Sequence, residues 1–220
     1  MSNVTKRALE QSLKNLLLKK PLTKITIGDI TEDCGINRMT FYYHFKDIYD
    51  LVEWVCMEDA KKALADHLTR TGRTGTVEDG LFPSTYRVKW DIVGEPKVSI
   101  LIPNKDHTED LEKCLHSIWT KTEWEHFEVI VVENNSTDPA TFAYYKKAQQ
   151  RYDGLRVVTY PKKGFNFSGI NNFGRKYATG EYLLLLNNDV EVRSGDWLTE
   201  LLRQCAHPGG AAVCGAMLFY

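Results

Sequence analysis

Two apolar periods divide this chain, and no single layer of secondary structure satisfies both. From Val4 to about Leu68 the apolar residues recur at helical spacing. Leu9, Leu13, Leu16 and Leu17 form one stripe that stops near Pro21; Ile27, Ile30 and Cys34 form a second; Tyr49, Val52, Val55 and Cys56 open a third. From Lys97 onward short apolar runs take over, at 98–102, 129–132, 155–158, 182–186 and 211–219, and they alternate with amphipathic helical stretches. That alternation reads as strands of a mostly parallel sheet buried on both faces and connected by helices. The order predicts two domains, an all-α bundle followed by an α/β domain.

The boundary between them is polar. Residues 69–80 are rich in Thr, Gly, Arg, Glu and Asp, offer almost nothing to bury, and read as a linker between a helical domain at 1–68 and the rest. Residues 81–96 read as an extended lead-in, since Tyr86, Val88 and Trp90 alternate with Arg87, Lys89 and Asp91, and are expected to lie on the second domain, 97–220. The 220 residues are 43% hydrophobic and 26% charged, which excludes a disordered or low-complexity chain. The net charge of −1 gives no global attraction to nucleic acid or membrane. The five cysteines are scattered without a CxxC pair, which argues against a zinc site or a disulfide framework and suggests a cytoplasmic setting. No signal peptide is legible, and no apolar run approaches the ~20 residues of a transmembrane helix. Nothing in the sequence speaks to the oligomeric state.

The first domain has the punctuation of a helix-turn-helix. Thr26 with Asp29 three residues on is a capping pattern, so a short helix is expected from Ile27. Gly35 suits a turn with positive φ, and Asn37 can cap a second helix running from Arg38 to Phe45. Two short helices around such a turn are the geometry that places the second in a major groove. Residues 1–46 hold eight basic side chains against four acidic ones, a local excess suited to phosphate. Phe41 and Phe45, four apart, are expected in the core. The stretch ITIGDITEDCGINRMTFYYHFKDIYDL resembles the DNA-binding domain of tetracycline-repressor (TetR) family regulators over about residues 4–60. The resemblance implies a DNA partner, with Thr40, Tyr42 and His44 on phosphates and Arg38, Met39 and Tyr43 toward base edges. Ile48 stands where that family usually has a lysine, and the large helical domain that follows in the family has no counterpart here.

In the second domain, chemistry gathers where strands are expected to end, the edge at which open α/β sheets bind ligands. The first strand leads into Pro103, Asn104, Lys105 and Asp106; the second into Glu133, Asn134 and Asn135, with Ser136, Thr137 and Asp138 set to cap a helix. A Gly- and Asn-rich stretch, GFNFSGINNFGRKYATGEY, follows the third strand, and the fourth runs into Asn187, Asn188, Asp189 and Glu191. A carboxylate at such a strand end can hold a divalent cation that completes its shell with water and diphosphate oxygens.

Taken in order, IPN, VENNSTD and NFSGINNFGRKYATGEYLLLLNND resemble a family 2 glycosyltransferase of the GT-A fold from about Lys97 onward. The resemblance implies a nucleoside-diphosphate sugar as ligand and Mg²⁺ or Mn²⁺ as cofactor. It places Pro103, Asn104, Glu133, Asn134 and Asn135 around base and ribose, and Asn172, Gly174 and Asn188 near the sugar diphosphate. Asp189, assisted by Glu191, takes the metal position, with Asn187 replacing the first Asp of that family's DxD. The family's acceptor site and catalytic base belong to a second half that the sequence is not expected to contain, since the apolar run at 211–219 is expected to be a fifth strand. The catalytic residue is therefore unassigned. Two functions remain open: a glycosyltransferase-like protein with a DNA-binding head, or a TetR-type regulator whose C-terminal part is incidental or senses a nucleotide sugar.

Overall fold

In the computed structural model of the chain, which describes residues 2–216, the capping pattern at Thr26 forms in full. Thr26 Oγ1 accepts from the Asp29 amide at 3.1 Å, and Asp29 Oδ2 accepts from the Thr26 amide at 2.8 Å. Two otherwise orphaned donors are thereby satisfied at the start of α2 (Ile27–Asp33). Gly35, at φ +68°, turns the chain, and Ile36 N donates back to Thr31 O at 2.9 Å. Asn37 Oδ1 accepts from Met39 N at 2.8 Å and starts α3 (Arg38–His44).

These two helices pack with α1 (Ser2–Leu17) and α4 (Ile48–Arg70) around Leu9, Leu13, Leu16, Ile25, Ile30, Phe41, Phe45, Leu51 and Val55. The helical stripes in the sequence are thus the core of this unit. The chain divides into two compact units, Met1–Lys89 and Trp90–Tyr220.

The segment expected as a linker is structured instead. Helix α4 continues to Arg70, and β1 (Gly75–Asp79) pairs with β2 (Tyr86–Trp90) in a two-stranded sheet. Polar contacts, which composition cannot reveal, hold this hairpin to α4. Lys61 Nζ meets Asp79 Oδ1 at 2.7 Å, and Tyr86 Oη donates to Met57 O at 3.0 Å.

The second unit carries a four-stranded, all-parallel sheet in the order β5-β4-β3-β6, built from β3 (Val98–Asn104), β4 (Phe127–Glu133), β5 (Leu155–Thr159) and β6 (Tyr182–Leu185). The intervening helices are α5 (Thr108–Lys121), α6 (Pro139–Arg151) and α7 (Phe167–Gly174), and α8 (Trp197–Cys205) follows β6. On one face Ile100, Ile102, Val129 and Val131 pack against Leu111, Leu115 and Ile118 of α5 and Leu198 and Leu202 of α8. On the other, Leu101, Ile130 and Val132 pack against Ile170 of α7.

The continuous apolar runs of β3 and β4 follow from this double cover. Helix α7 packs on β3 and β4, while Leu183 and Leu185 of β6 remain 43% and 52% exposed, against the expectation of burial on both faces. Of the apolar run at 211–219, residues 211–216 form no strand, and the rest lies outside the described residues.

Gly174, expected near a diphosphate, serves packing instead. A Cβ at this position would lie 2.6 Å from Val132 Cγ2, so only glycine lets α7 sit this close to β4.

Candidate nucleotide site

Parallel strands all end at the same edge, and here that edge collects the polar residues of β3 and β4. A cavity of about 230 Å³ opens there, lined by Pro103 and Asn104 at the end of β3, Lys105 and His107 between β3 and α5, Asn134 and Asn135 after β4, Gly164 and Phe165 from the β5–α7 loop, and Asn188 after β6. Five of the residues expected at a nucleotide site, Pro103, Asn104, Asn134, Asn135 and Asn188, are thus brought to one place.

A hydrogen-bond chain that runs from Asn188 into the interior fixes Asn188 and Asn104. Asn188 Nδ2 donates to Asn104 Oδ1 at 2.7 Å. Asn104 Nδ2 donates to Tyr145 Oη at 2.8 Å and to Asp106 O at 2.8 Å. Tyr145 Oη in turn donates to Glu133 Oε2 at 2.7 Å. Burial first, and the neighbouring Glu133 carboxylate with it, push the Tyr145 hydroxyl well above the usual phenol range, so it stays protonated as a donor.

Glu133 departs from its expected role. It is 1% exposed and does not line the cavity. Oε1 accepts from Ser136 N at 2.5 Å, and Oε2 accepts from Ser136 Oγ at 2.5 Å as well as from Tyr145. A carboxylate so engaged shapes the loop that carries Asn134 and Asn135, and Ser136 and Tyr145 take up both of its oxygens. Asp106 braces the same loop, accepting from Thr137 N at 2.9 Å and Asp138 N at 3.0 Å. These two backbone donors hold its carboxyl below the usual range.

Asn172 is exposed on α7 and does not line the cavity. Its neighbour Asn171 is the buried one; Asn171 Nδ2 donates to Phe167 O at 2.9 Å, and Asn171 Oδ1 has no partner among the described residues.

The expected metal residues separate. Asp189 is exposed in the turn beside Asn188. Glu191 is drawn off by Lys121, whose Nζ lies 3.0 Å from Glu191 Oε1, and that contact lowers the Glu191 pKa. No group of three or more His, Cys, Asp or Glu side chains among the described residues could enclose a cation. The donor set offered is one carboxylate, which fits a cation that takes its other ligands from diphosphate and water and does not fit one caged by protein alone. The turn packs on α5 through Cys114, whose thiol is pushed up to about 12, by burial first and with the Asp189 charge adding to it, so it is an inert core thiol.

Lys105, named in the sequence only as part of the strand end, lines the cavity too, and His107, Gly164 and Phe165 on its wall and Tyr145 behind it were not assigned a role from sequence. His107, at φ +46°, lies just ahead of α5 and could not be told from a helix-surface residue by spacing. Tyr145 looks like any apolar residue of α6, because its role depends on what its hydroxyl meets.

In the first unit the residues expected to face DNA separate from the core. Met39 and Tyr43 of α3 are 75% and 83% exposed and Tyr42 is 52% exposed, while Phe41 is buried. Thr40 and His44 are half-buried, and Arg38 is exposed.

Comparisons with known proteins bear on the second unit. The family model for glycosyl transferase family 2 matches residues 99–220. The O-antigen biosynthesis protein RfbC of Myxococcus xanthus is 42% identical over 158 residues, covering 72% of this chain and 12% of that protein. The uncharacterized protein y4gI of Sinorhizobium fredii is 37% identical over 164 residues, 74% of this chain and 18% of that protein. The chain therefore spans less than a fifth of the length of either. Both likenesses are longer than the stretch 99–220, so they reach into the chain ahead of β3. Among solved structures, a mannosyltransferase of Pyrobaculum calidifontis in complex with GDP-Man and Mn²⁺ aligns at 18% identity and a TM-score of 0.45, over 70% of this chain and 42% of that one. No helix among the described residues is long and apolar enough to cross a membrane.

Proposed function

Because the chain belongs to glycosyl transferase family 2, we propose that its α/β unit binds a nucleoside-diphosphate sugar in the cavity at the ends of β3 and β4. The observation that carries this reading is the convergence of four asparagines on one cavity at the ligand-binding edge of a parallel sheet: Asn134, Asn135 and Asn188, with Asn104 as the buried brace whose amide is taken up by Asn188, Tyr145 and Asp106. Amides offer both donors and acceptors, as base and ribose require. Asn188 lies on the diphosphate side, next to Asp189, which supplies the one protein carboxylate for Mg²⁺ or Mn²⁺. Bound there, the cation would neutralise diphosphate charge. Glu133 and Tyr145 act behind the surface, holding the amides in place.

Sugar transfer also needs a base to take the acceptor's proton. No carboxylate lines this cavity, so the reading concerns donor binding, and the whole enzyme's activity, donor sugar and acceptor lie beyond it. Chemical-shift mapping with uridine diphosphate tests it: amide shifts concentrated at Asn104, Asn134, Asn135 and Asn188 support the site, and shifts confined elsewhere remove it.

For the first unit we propose a DNA-binding role of the TetR type. The supporting observation is that α3 buries Phe41 yet exposes Met39, Tyr42 and Tyr43 beside Arg38, which leaves one face of a capped helix for a partner.

A further inference from the structure

We propose that Phe165 is the platform on which the donor's nucleobase stacks, an inference that rests on the donor-binding reading above and names the group that grips the base. Phe165 is 75% exposed, an apolar ring held in water at a cavity whose other walls include Asn134, Asn135 and Asn188 beside Pro103, Lys105 and His107. Its loop is built, and both of its ends are fixed. Asn135, at φ +60°, donates from Nδ2 to Lys162 O at 2.9 Å and ties the loop to the end of β4. Gly164, at φ +85°, makes the turn that delivers Phe165 to the rim, where a side chain other than hydrogen would be strained. Beyond it Asn166 Oδ1 accepts from Gly169 N at 2.8 Å and starts α7. The Phe167 ring lies 6.5 Å from that of Phe165, tilted by 45°, and backs it from the α7 side.

A flat ring at the rim with hydrogen-bonding amides below matches one class of ligand group, a planar heteroaromatic with a polar edge. Its face gains from stacking on Phe165, and its edge from Asn134 and Asn135. Diphosphate has no face to stack. A sugar ring could pack on Phe165, and the experiment separates that case.

The test uses the full chain with uridine diphosphate, pyrophosphate and a uridine-diphosphate sugar as calorimetric probes. Phe165→Ala should raise the Kd for uridine diphosphate about ten-fold, the scale of one lost base stack, and leave pyrophosphate binding unchanged. Phe165→Trp should keep the affinity and add a uridine-diphosphate-dependent fluorescence quench that wild type lacks. The exposed position predicts unchanged unfolding midpoints in both variants, which separates lost stacking from lost structure. Wild-type affinity for uridine diphosphate in Phe165→Ala overturns the proposal while leaving the donor site standing. A loss confined to the uridine-diphosphate sugar overturns it in favour of a sugar platform. Failure of wild type to bind any nucleotide overturns both this proposal and the donor-binding reading.

Discussion

Asn188 Nδ2 donates to Asn104 Oδ1 at 2.7 Å, joining the turn after β6 to the end of β3 across 84 residues of sequence. The bond is one link of a chain that continues through Tyr145 to Glu133. The positions that face the cavity are therefore set by groups buried behind it, and the site is organised before any ligand arrives. Preorganisation of this kind spares a ligand the cost of ordering the side chains that bind it.

Tyr145→Phe removes the hydroxyl that accepts from Asn104 and donates to Glu133, while keeping the ring in the core. Losing partners for two buried polar groups should cost about 1–3 kcal/mol, read from the urea midpoint. Nucleotide affinity should fall as well, since Asn104 is no longer held. Asn188→Ala, at the exposed end of the chain, should weaken nucleotide binding with less loss of stability. Equal stability losses in both variants with unchanged binding would reduce the chain to scaffolding.

At the opposite end of the sheet Glu128 is buried, accepting from Ser99 Oγ at 2.6 Å, from Thr179 N at 2.7 Å and from Arg156 Nη2 at 2.7 Å. Burial alone would raise its pKa, but hydrogen bonds from Ser99, from Thr179 N and Oγ1 and from Lys97 outweigh it and pull the value from 4.5 to about 2. A carboxyl whose folded value lies below its unfolded one stabilises the fold above the unfolded value, and that contribution drains away as pH falls through the folded value. Stability of the α/β unit should therefore decline between pH 4.5 and about 2. Glu128→Gln should flatten that decline, and Glu128→Ala, which strips Ser99 Oγ and Thr179 N of their acceptor, should cost about 1–3 kcal/mol at neutral pH. Acid titration of the unfolding midpoint measures both, and an unchanged slope in Glu128→Gln would assign the decline to other groups.

Where the sequence was legible, local rules sufficed. The capping pair Thr26 and Asp29, the turn at Gly35 and the runs of β3 and β4 each depend on neighbours a few residues away or on a burial pattern repeated along one element. What stayed illegible depends on long-range pairing. The strand Gly75–Asp79 looked like linker because its ion-pair partner, Lys61, is on α4. Glu133 looked like a ligand-facing carboxylate because nothing local says that Tyr145 and Ser136 claim both of its oxygens. Gly174 reads as a ligand-approach glycine until Val132 is seen against it. Phe165 carried a weak signal, an aromatic among glycines and asparagines, but its exposure only became informative once the cavity was located.

If α3 enters a major groove, the full chain should bind duplex DNA with an affinity that falls steeply with salt, because each neutralised phosphate releases counterion. Arg38→Ala should then lower affinity for a selected sequence by about 1–3 kcal/mol while changing random-sequence binding less. Anisotropy titrations at several salt concentrations measure this. Equal losses on every sequence would reassign Arg38 to phosphate, and salt-insensitive or absent binding would remove the DNA-binding proposal for this unit.

The most direct test of the central claim is calorimetric titration of the full chain with uridine or deoxythymidine diphosphate, with and without Mn²⁺, in wild type and Asp189→Ala. One protein carboxylate and the ligand's own oxygens should share the cation. Wild type should therefore bind one of these nucleotides more tightly when Mn²⁺ is present, and Asp189→Ala should bind it equally well with or without the metal. Metal-dependent binding that survives in Asp189→Ala would contradict the metal assignment, and a wild-type chain that binds neither nucleotide under any condition would contradict the account as a whole.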